Sequence, residues 1–97
     1  LGLFLQPATP RDIVTRMLRN LQEIFKSQED WQRLIPVLDR LVVLQADSPS
    51  DRRDRGMALI KAGQPEKARL DLQHYLNQVP DAADASAISR QLDSLQS

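Results

Sequence analysis

SPSDRRDRGMALIKAGQPEKARLDLQHYLNQVP, Ser48 to Pro80, reads as helix, tight turn, helix, stop. Ser48 stands where a helix cap is wanted, with Pro49 at the first helical position and Asp51 three residues past the cap. Gly56 gives up a side chain in mid-helix, which costs about 1 kcal/mol against alanine and is best explained by another backbone coming close there. Gly63-Gln64-Pro65 ends this helix and opens the next, the glycine suited to a left-handed cap and the proline to a first turn. Ala68, Leu72, Tyr75, Leu76 and Val79 then make one apolar stripe at helical spacing, and Pro80 closes the unit.

The preceding residues can be laid over this unit at an offset of about 34 residues. Phe25 falls on Leu59, Leu34 on Ala68, Leu38 on Leu72, Leu41 on Tyr75 and Ala46 on Pro80. Arg19/Arg53, Leu38/Leu72 and Asp47/Asp81 are identities; Leu18 and Leu21 meet Arg52 and Arg55, so the first helices agree less well. A helical hairpin of this length, with a small residue in each helix and a closing proline, resembles the tetratricopeptide repeat. Two repeats are expected, with Gly56, Ala68 and Pro80 as structural positions.

Ninety-seven residues, 41% of them hydrophobic, suffice for one core but not two. Thirteen basic side chains balance thirteen acidic ones, against the basic excess of a protein that neutralises phosphates, so no nucleic-acid partner is expected. No cysteine is present, which removes disulfides, thiolate nucleophiles and Cys-bound zinc, and suits a reducing, cytoplasmic compartment. No apolar run approaches the roughly 18 residues of a membrane span, and no membrane partner is expected.

Residues 1–8 are expected to be a linker or the end of an upstream domain, and 9–97 the repeat domain. Thr9-Pro10-Arg11-Asp12 repeats the start signal, and Ile13, Met17, Leu18, Leu21, Ile24 and Phe25 follow on one side of the first helix. Asp12 and Arg16 are spaced for an i, i+4 pair. Asp30 is the expected cap of the second helix, whose apolar face is Trp31, Leu34, Ile35, Leu38, Leu41 and Val42. Pro36 lies inside it and predicts a mild kink or a loosened first turn. After Pro80, Asp81 is the expected cap of a fifth helix over 82–96, whose narrow stripe of Ala85, Ile88, Leu92 and Leu95 suits the end cap of a stack.

Chemistry-bearing residues are sparse. His74 has no nucleophile or second ligand at a suitable spacing, and no Ser/His/Asp set, phosphate loop or metal spacing occurs. No catalytic residue, cofactor or metal is therefore expected. Stacked hairpins line a groove with their first helices, here offering Arg16, Arg19, Asn20 and Glu23, then Arg53, Met57, Ile60 and Lys61. Its arginines could hold a carboxylate-rich peptide. In the charged run Asp51 to Arg55, Arg52 and Arg55 lie toward the core-facing side. They read either as a solvated turn laced by an Asp51–Arg55 pair or as a fastening to an acidic surface.

The strings ATPRDIVTRMLRNLQEIF, DWQRLIPVLDRLVVLQADSPSDRRDRG and QPEKARLDLQHYLNQVPDAADASAI, over about residues 8–95, are similar to the C-terminal repeat region of SirB/YchA-type bacterial proteins. That resemblance implies a transglutaminase-like domain upstream of Leu1 and a regulatory setting. Pro36, and Gln22 where a small residue often sits, depart from the pattern and imply looser packing in the first repeat. The expectation is an all-α, right-handed array of two hairpins and a capping helix, serving as a protein-interaction or intramolecular docking module. Its alternatives are an accessory part of a transglutaminase-like enzyme and a homodimerisation module using Leu1 to Leu5 and the last helix.

Overall fold

Thr9 starts the first helix, α1 (Pro10–Ser27), through a full capping box: its side chain accepts from the Asp12 backbone while the Asp12 carboxylate accepts from the Thr9 backbone. That carboxylate is thus spent at the cap, not on the Arg16 pair that the spacing suggests. The computed structural model describes residues 9–96, and the reading of residues 1–8 lies outside them. Four helices follow α1: α2 (Trp31–Leu44), α3 (Pro49–Lys61), α4 (Pro65–Gln78) and α5 (Ala85–Gln96). No strand occurs among the described residues. Each helix packs on the next in chain order, and the body is drawn out to 57 × 29 × 19 Å, as a stack of hairpins should be.

The two hairpins turn on the same hydrogen bonds. After α3, Gly63 at φ +79° donates to Ile60 at 3.1 Å and Gln64 donates to Leu59 at 2.8 Å. After α1, Glu29 at φ +53° donates to Lys26 at 3.1 Å and Asp30 to Phe25 at 2.9 Å. Both are the paired closing bonds of a Schellman motif. Phe25 and Leu59, aligned from sequence alone, accept the same bond in the two copies.

Burial repeats as well. Leu34 and Ala68, Leu38 and Leu72, Leu41 and Tyr75 are all buried, and Leu38 and Leu72 are both 0% exposed. One core cluster joins Leu18 of α1, the α2 face and Ala58 of α3; a second joins Leu72 and Tyr75 of α4 to Ile88 and Leu92 of α5. The last helix therefore covers the α4 face, as expected of an end cap, but begins at Ala85 rather than residue 82. Asp81 is not at its start; the residues before it turn through backbone bonds from Ala82 to Val79 and from Ala85 to Ala82.

At Gly56, a Cβ would lie 2.8 Å from Leu72 Cδ2 and 3.3 Å from Asp71 Cβ. The close approach is real, although a side chain rather than a backbone makes it. Pro36 leaves α2 unbroken because it sits on the exposed side, where water can serve the carbonyl that loses its donor. Ser48 occupies the cap position of α3, but its hydroxyl pairs with that of Ser50 at 3.2 Å and makes no capping bond to the helix backbone.

Glu29 carries a side chain in a conformation that costs a non-glycine residue about 1–2 kcal/mol. Glu29→Gly should stabilise the fold by about 0.5–1 kcal/mol after the larger chain entropy of glycine is deducted. Thermal unfolding should show a rise of a few degrees; an unchanged or lower Tm would mean that the first turn is not held as the second is.

Candidate functional site

Arginine–aspartate pairs run along the first helices of the repeats. Arg19 of α1 reaches across to α3 and holds Asp51 with both terminal nitrogens, Nη2 to Oδ2 at 2.9 Å. Asp51 is 0% exposed, whereas the Arg19 side chain is 38% exposed. Beside them Gln22, buried at the position equivalent to Gly56, accepts from Arg19 at 3.1 Å and donates to Asp54 at 3.2 Å. One repeat later Arg53 of α3 reaches Asp84 at 3.0 Å, and its own neighbour Asp54 at 3.1 Å. Arg19 and Arg53 are thus the same part used twice, each holding a carboxylate 32 or 31 residues further on.

Tyr75 donates its hydroxyl to the same Asp84, and Arg53 lies 5.7 Å from the Tyr75 ring centre. Arg55, on another side of α3, takes Asp71 with Nε at 2.7 Å and Nη2 at 2.6 Å, and Asp39 of α2 at 3.0 Å. No buried side-chain polar atom lacks a partner among the described residues.

These contacts set the titration. The Asp51 hydrogen bond raises the Arg19 pKa despite burial. Around Arg55 the Asp71 hydrogen bond does the same. Burial works against the Arg53 charge, but Asp54 and Asp84 outweigh it and the pKa rises. The Tyr75 hydroxyl, with Arg53 adding to it, holds Asp84 below its ordinary 3.8, while burial and the Asp84 bond push Tyr75 up.

Next to the Gln22–Asp54 contact opens a cleft of about 250 Å3 between α1, α2 and α3. Trp31, Leu34, Leu38, Met57 and Ala58 form its apolar wall, and Gln22, Asp54, Lys26 and Lys61 its polar edge. Lys26 lies in the last turn of α1 and Lys61 in the last turn of α3. Gln22 and Asp54 stand one and two turns earlier on those helices, so positive charge is displaced toward one end. Neither lysine is paired with a carboxylate among the described residues.

The groove residues read from sequence fall into three groups. Met57 and Lys61 line the cleft. Arg19 and Arg53 are held by the chain's own carboxylates, and Ile60 packs on the second core cluster. Arg16, Asn20 and Glu23 are exposed on α1 and do not line the cleft. Of the docking pair, Arg55 is committed to Asp71 and Asp39 rather than to Asp51, while Arg52 is half-buried with no ion pair. Ala68 is fully buried and Pro80 exposed at the end of its hairpin. His74 is exposed, and no group of metal-ligating side chains occurs among the described residues.

Sequence reading missed Gln22, Lys26, Trp31 and Asp54 as neighbours. A signal existed for the ladder, since an arginine recurs at the repeat offset with an aspartate about one repeat beyond each copy. For the cleft there was none, because it depends on how far two hairpins stand apart.

The repeated caps, burial and ion pairs agree with the sequence comparisons. The tetratricopeptide repeat family matches residues 21–93, and the chain belongs to that family. It is 34% identical over 88 residues to a UPF0162 protein of Xylella fastidiosa strain 9a5c, and 33% identical over 88 residues to a UPF0162 protein of strain Temecula1. Those alignments take in 91% of this chain but 31% of each relative, so the chain spans about a third of their length. No solved structure matches it.

Removing Arg19 strands a buried carboxylate, whereas removing Asp51 leaves an arginine that can turn to water. Arg19→Met should therefore cost more, about 2–4 kcal/mol after allowing for the part-exposed guanidinium, than Asp51→Asn. Urea denaturation of both variants checks this, and equal losses would mean that Asp51 is not held dry. A carboxylate with a depressed pKa stabilises the fold above its unfolded value, and that contribution fades as pH falls through the folded one. The difference in stability between the wild type and Asp84→Asn should accordingly be full near neutral pH and shrink below pH 3.8. A difference that stays flat from pH 7 to pH 3 would break the assignment.

Proposed function

We propose that the chain is a non-catalytic protein-binding module that takes an apolar side chain of a partner peptide into the cleft between α1, α2 and α3. The observation that supports this is the combination in one cleft of an apolar wall and two lysines with no carboxylate of their own. Tetratricopeptide repeats generally mediate protein–protein interaction, which agrees with it. A leucine-sized side chain would meet Trp31, Leu34 and Met57, with a neighbouring carboxylate on Lys26 and Lys61 and a backbone N–H on Asp54. Affinity would come from burial, and orientation from the charge at one end.

The wider setting belongs to the same proposal. A chain spanning a third of its relatives suits a docking module within a longer protein. The SirB/YchA resemblance supports including a transglutaminase-like domain in that proposal. A cytoplasmic location is included, since a cysteine-free chain forms no disulfide and rests on packing and ion pairs alone. No helix is long and apolar enough to cross a membrane among the described residues.

Trp31 is the chain's single tryptophan and reports on the cleft directly. Titration with a short peptide carrying leucine between aspartates should change Trp31 emission saturably. Lys61→Glu should weaken binding about tenfold, the order expected for losing one charge contact at a partly dry site. No saturable change at millimolar peptide, or equal binding of a peptide with serine in place of leucine, would end this reading.

A further inference from the structure

Five of the large apolar side chains left exposed among the described residues stand on α1: Ile13, Val14, Met17, Leu21 and Ile24. Met17 is 58% exposed, on a helix that buries only Leu18 and Gln22. The stripe lies roughly opposite Gln22 and Lys26, so it is a surface separate from the cleft and from the binding proposed there. Single exposed apolar residues such as Val43 and Leu70 need no explanation, but five on one helix face mark a contact surface.

The spacing says what fits this surface. Val14, Met17, Leu21 and Ile24 follow one another at intervals of three, four and three, the seam of a paired helix. That series reads the same in both chain directions, so it is complementary to itself. Laid antiparallel on a second copy, Met17 meets the partner's Leu21 and Val14 meets the partner's Ile24, and the two-fold axis repeats both contacts. Charge selects the direction. Arg16 and Glu23 stand two turns apart along the outer edge of the stripe, both exposed and neither in an ion pair among the described residues. Antiparallel helices set Arg16 against Glu23 of the partner subunit, whereas parallel ones set arginine against arginine and glutamate against glutamate. An antiparallel pair also brings opposite ends of the two helix dipoles together. Head-to-tail stacking finds no such match, because α5 buries Ile88 and Leu92 on α4 and leaves Ser86, Ser89 and Arg90 outward. We propose that α1 pairs antiparallel with α1 of a second copy, making a two-fold dimer through the apolar stripe with an Arg16–Glu23 contact at each end. Because the cleft lies on another side of α1, each copy keeps its own.

Sedimentation of the 97-residue chain over a wide concentration range tests this. An interface of one helix pair is at the small end of specific contacts, so half of the chains should be paired at roughly 10–100 μM. Met17→Glu, at an exposed position outside the core, should weaken pairing at least about tenfold while circular dichroism shows the same helix content. Arg16→Glu or Glu23→Arg alone puts like charges together at both ends and should weaken it about three- to tenfold. Both changes in one chain should restore it, which a helix merely disturbed by substitution would not do. A mass that stays monomeric up to about 1 mM, or pairing that Met17→Glu leaves unchanged, would overturn the proposal. So would a double exchange that fails to recover pairing. None of these results bears on the cleft, which Trp31 emission reads separately.

Discussion

Asp51 is a carboxylate with no access to water, and a partner on another helix must satisfy it. Arg19 does so across the boundary between repeats. A buried ion pair adds little net stability compared with apolar residues of the same shape, but breaking it is expensive. Its effect is therefore to forbid arrangements rather than to deepen the correct one. The backbones of α1 and α3 do not approach closely, since each helix packs on its chain neighbours. Long side chains bridge the space between them, and a slip of one turn would leave Asp51 alone in the interior. Arg53 and Asp84 repeat the device at the next boundary, with Tyr75 as a further donor.

The fold was legible because its signals are local and occur twice. Caps, the glycine turn and the apolar stripes of α2 and α4 need only neighbours in sequence, and the offset from Phe25 to Leu59 doubled the evidence for each. Errors arose where a residue had both a local and a distant use. Asp51 suits a capping box, yet Arg19 takes it; Arg55 has Asp51 four residues away, yet Asp71 and Asp39 hold it in a better geometry. In each case the guanidinium chose two-point contact across the fold over a single local pair, which its rigid fork favours. The fifth helix was extended too far for the same reason. Asp84 reads as a first-turn carboxylate, but Tyr75 and Arg53 hold it just ahead of the helix.

The pairing also changes where binding can occur. Arginines along an inner helix face look like receptors for acidic peptides, and their number in this chain made that reading natural. Arg19, Arg53 and Arg55 hold internal carboxylates, and in the binding mode we propose they would be fixed wall rather than receptor. The cations on the apolar cleft that have no carboxylate partner among the described residues are lysines at the helix ends, Lys26 and Lys61. Lysine is a point charge on a flexible stem, so such an edge steers and orients a carboxylate without demanding one geometry. In the binding mode we propose, selectivity would then come from the apolar wall.

The cleft and the departure of Gln22 from the repeat pattern are one feature. In the second hairpin Gly56 lets Leu72 come to van der Waals distance, and the two helices close on each other. At the equivalent place in the first hairpin stands Gln22, opposite Leu38, the counterpart of Leu72. A glutamine cannot be packed flat against a leucine and stay satisfied, so its amide turns to Arg19 of its own helix and to Asp54 of α3. Both Gln22 and Leu38 face the resulting space, with Trp31 and Met57 along its sides. The looser first repeat that Gln22 implies is thus the opening itself. One polar residue at a small-residue position keeps the first hairpin from closing as the second does, and the same amide ties the hairpin to α3.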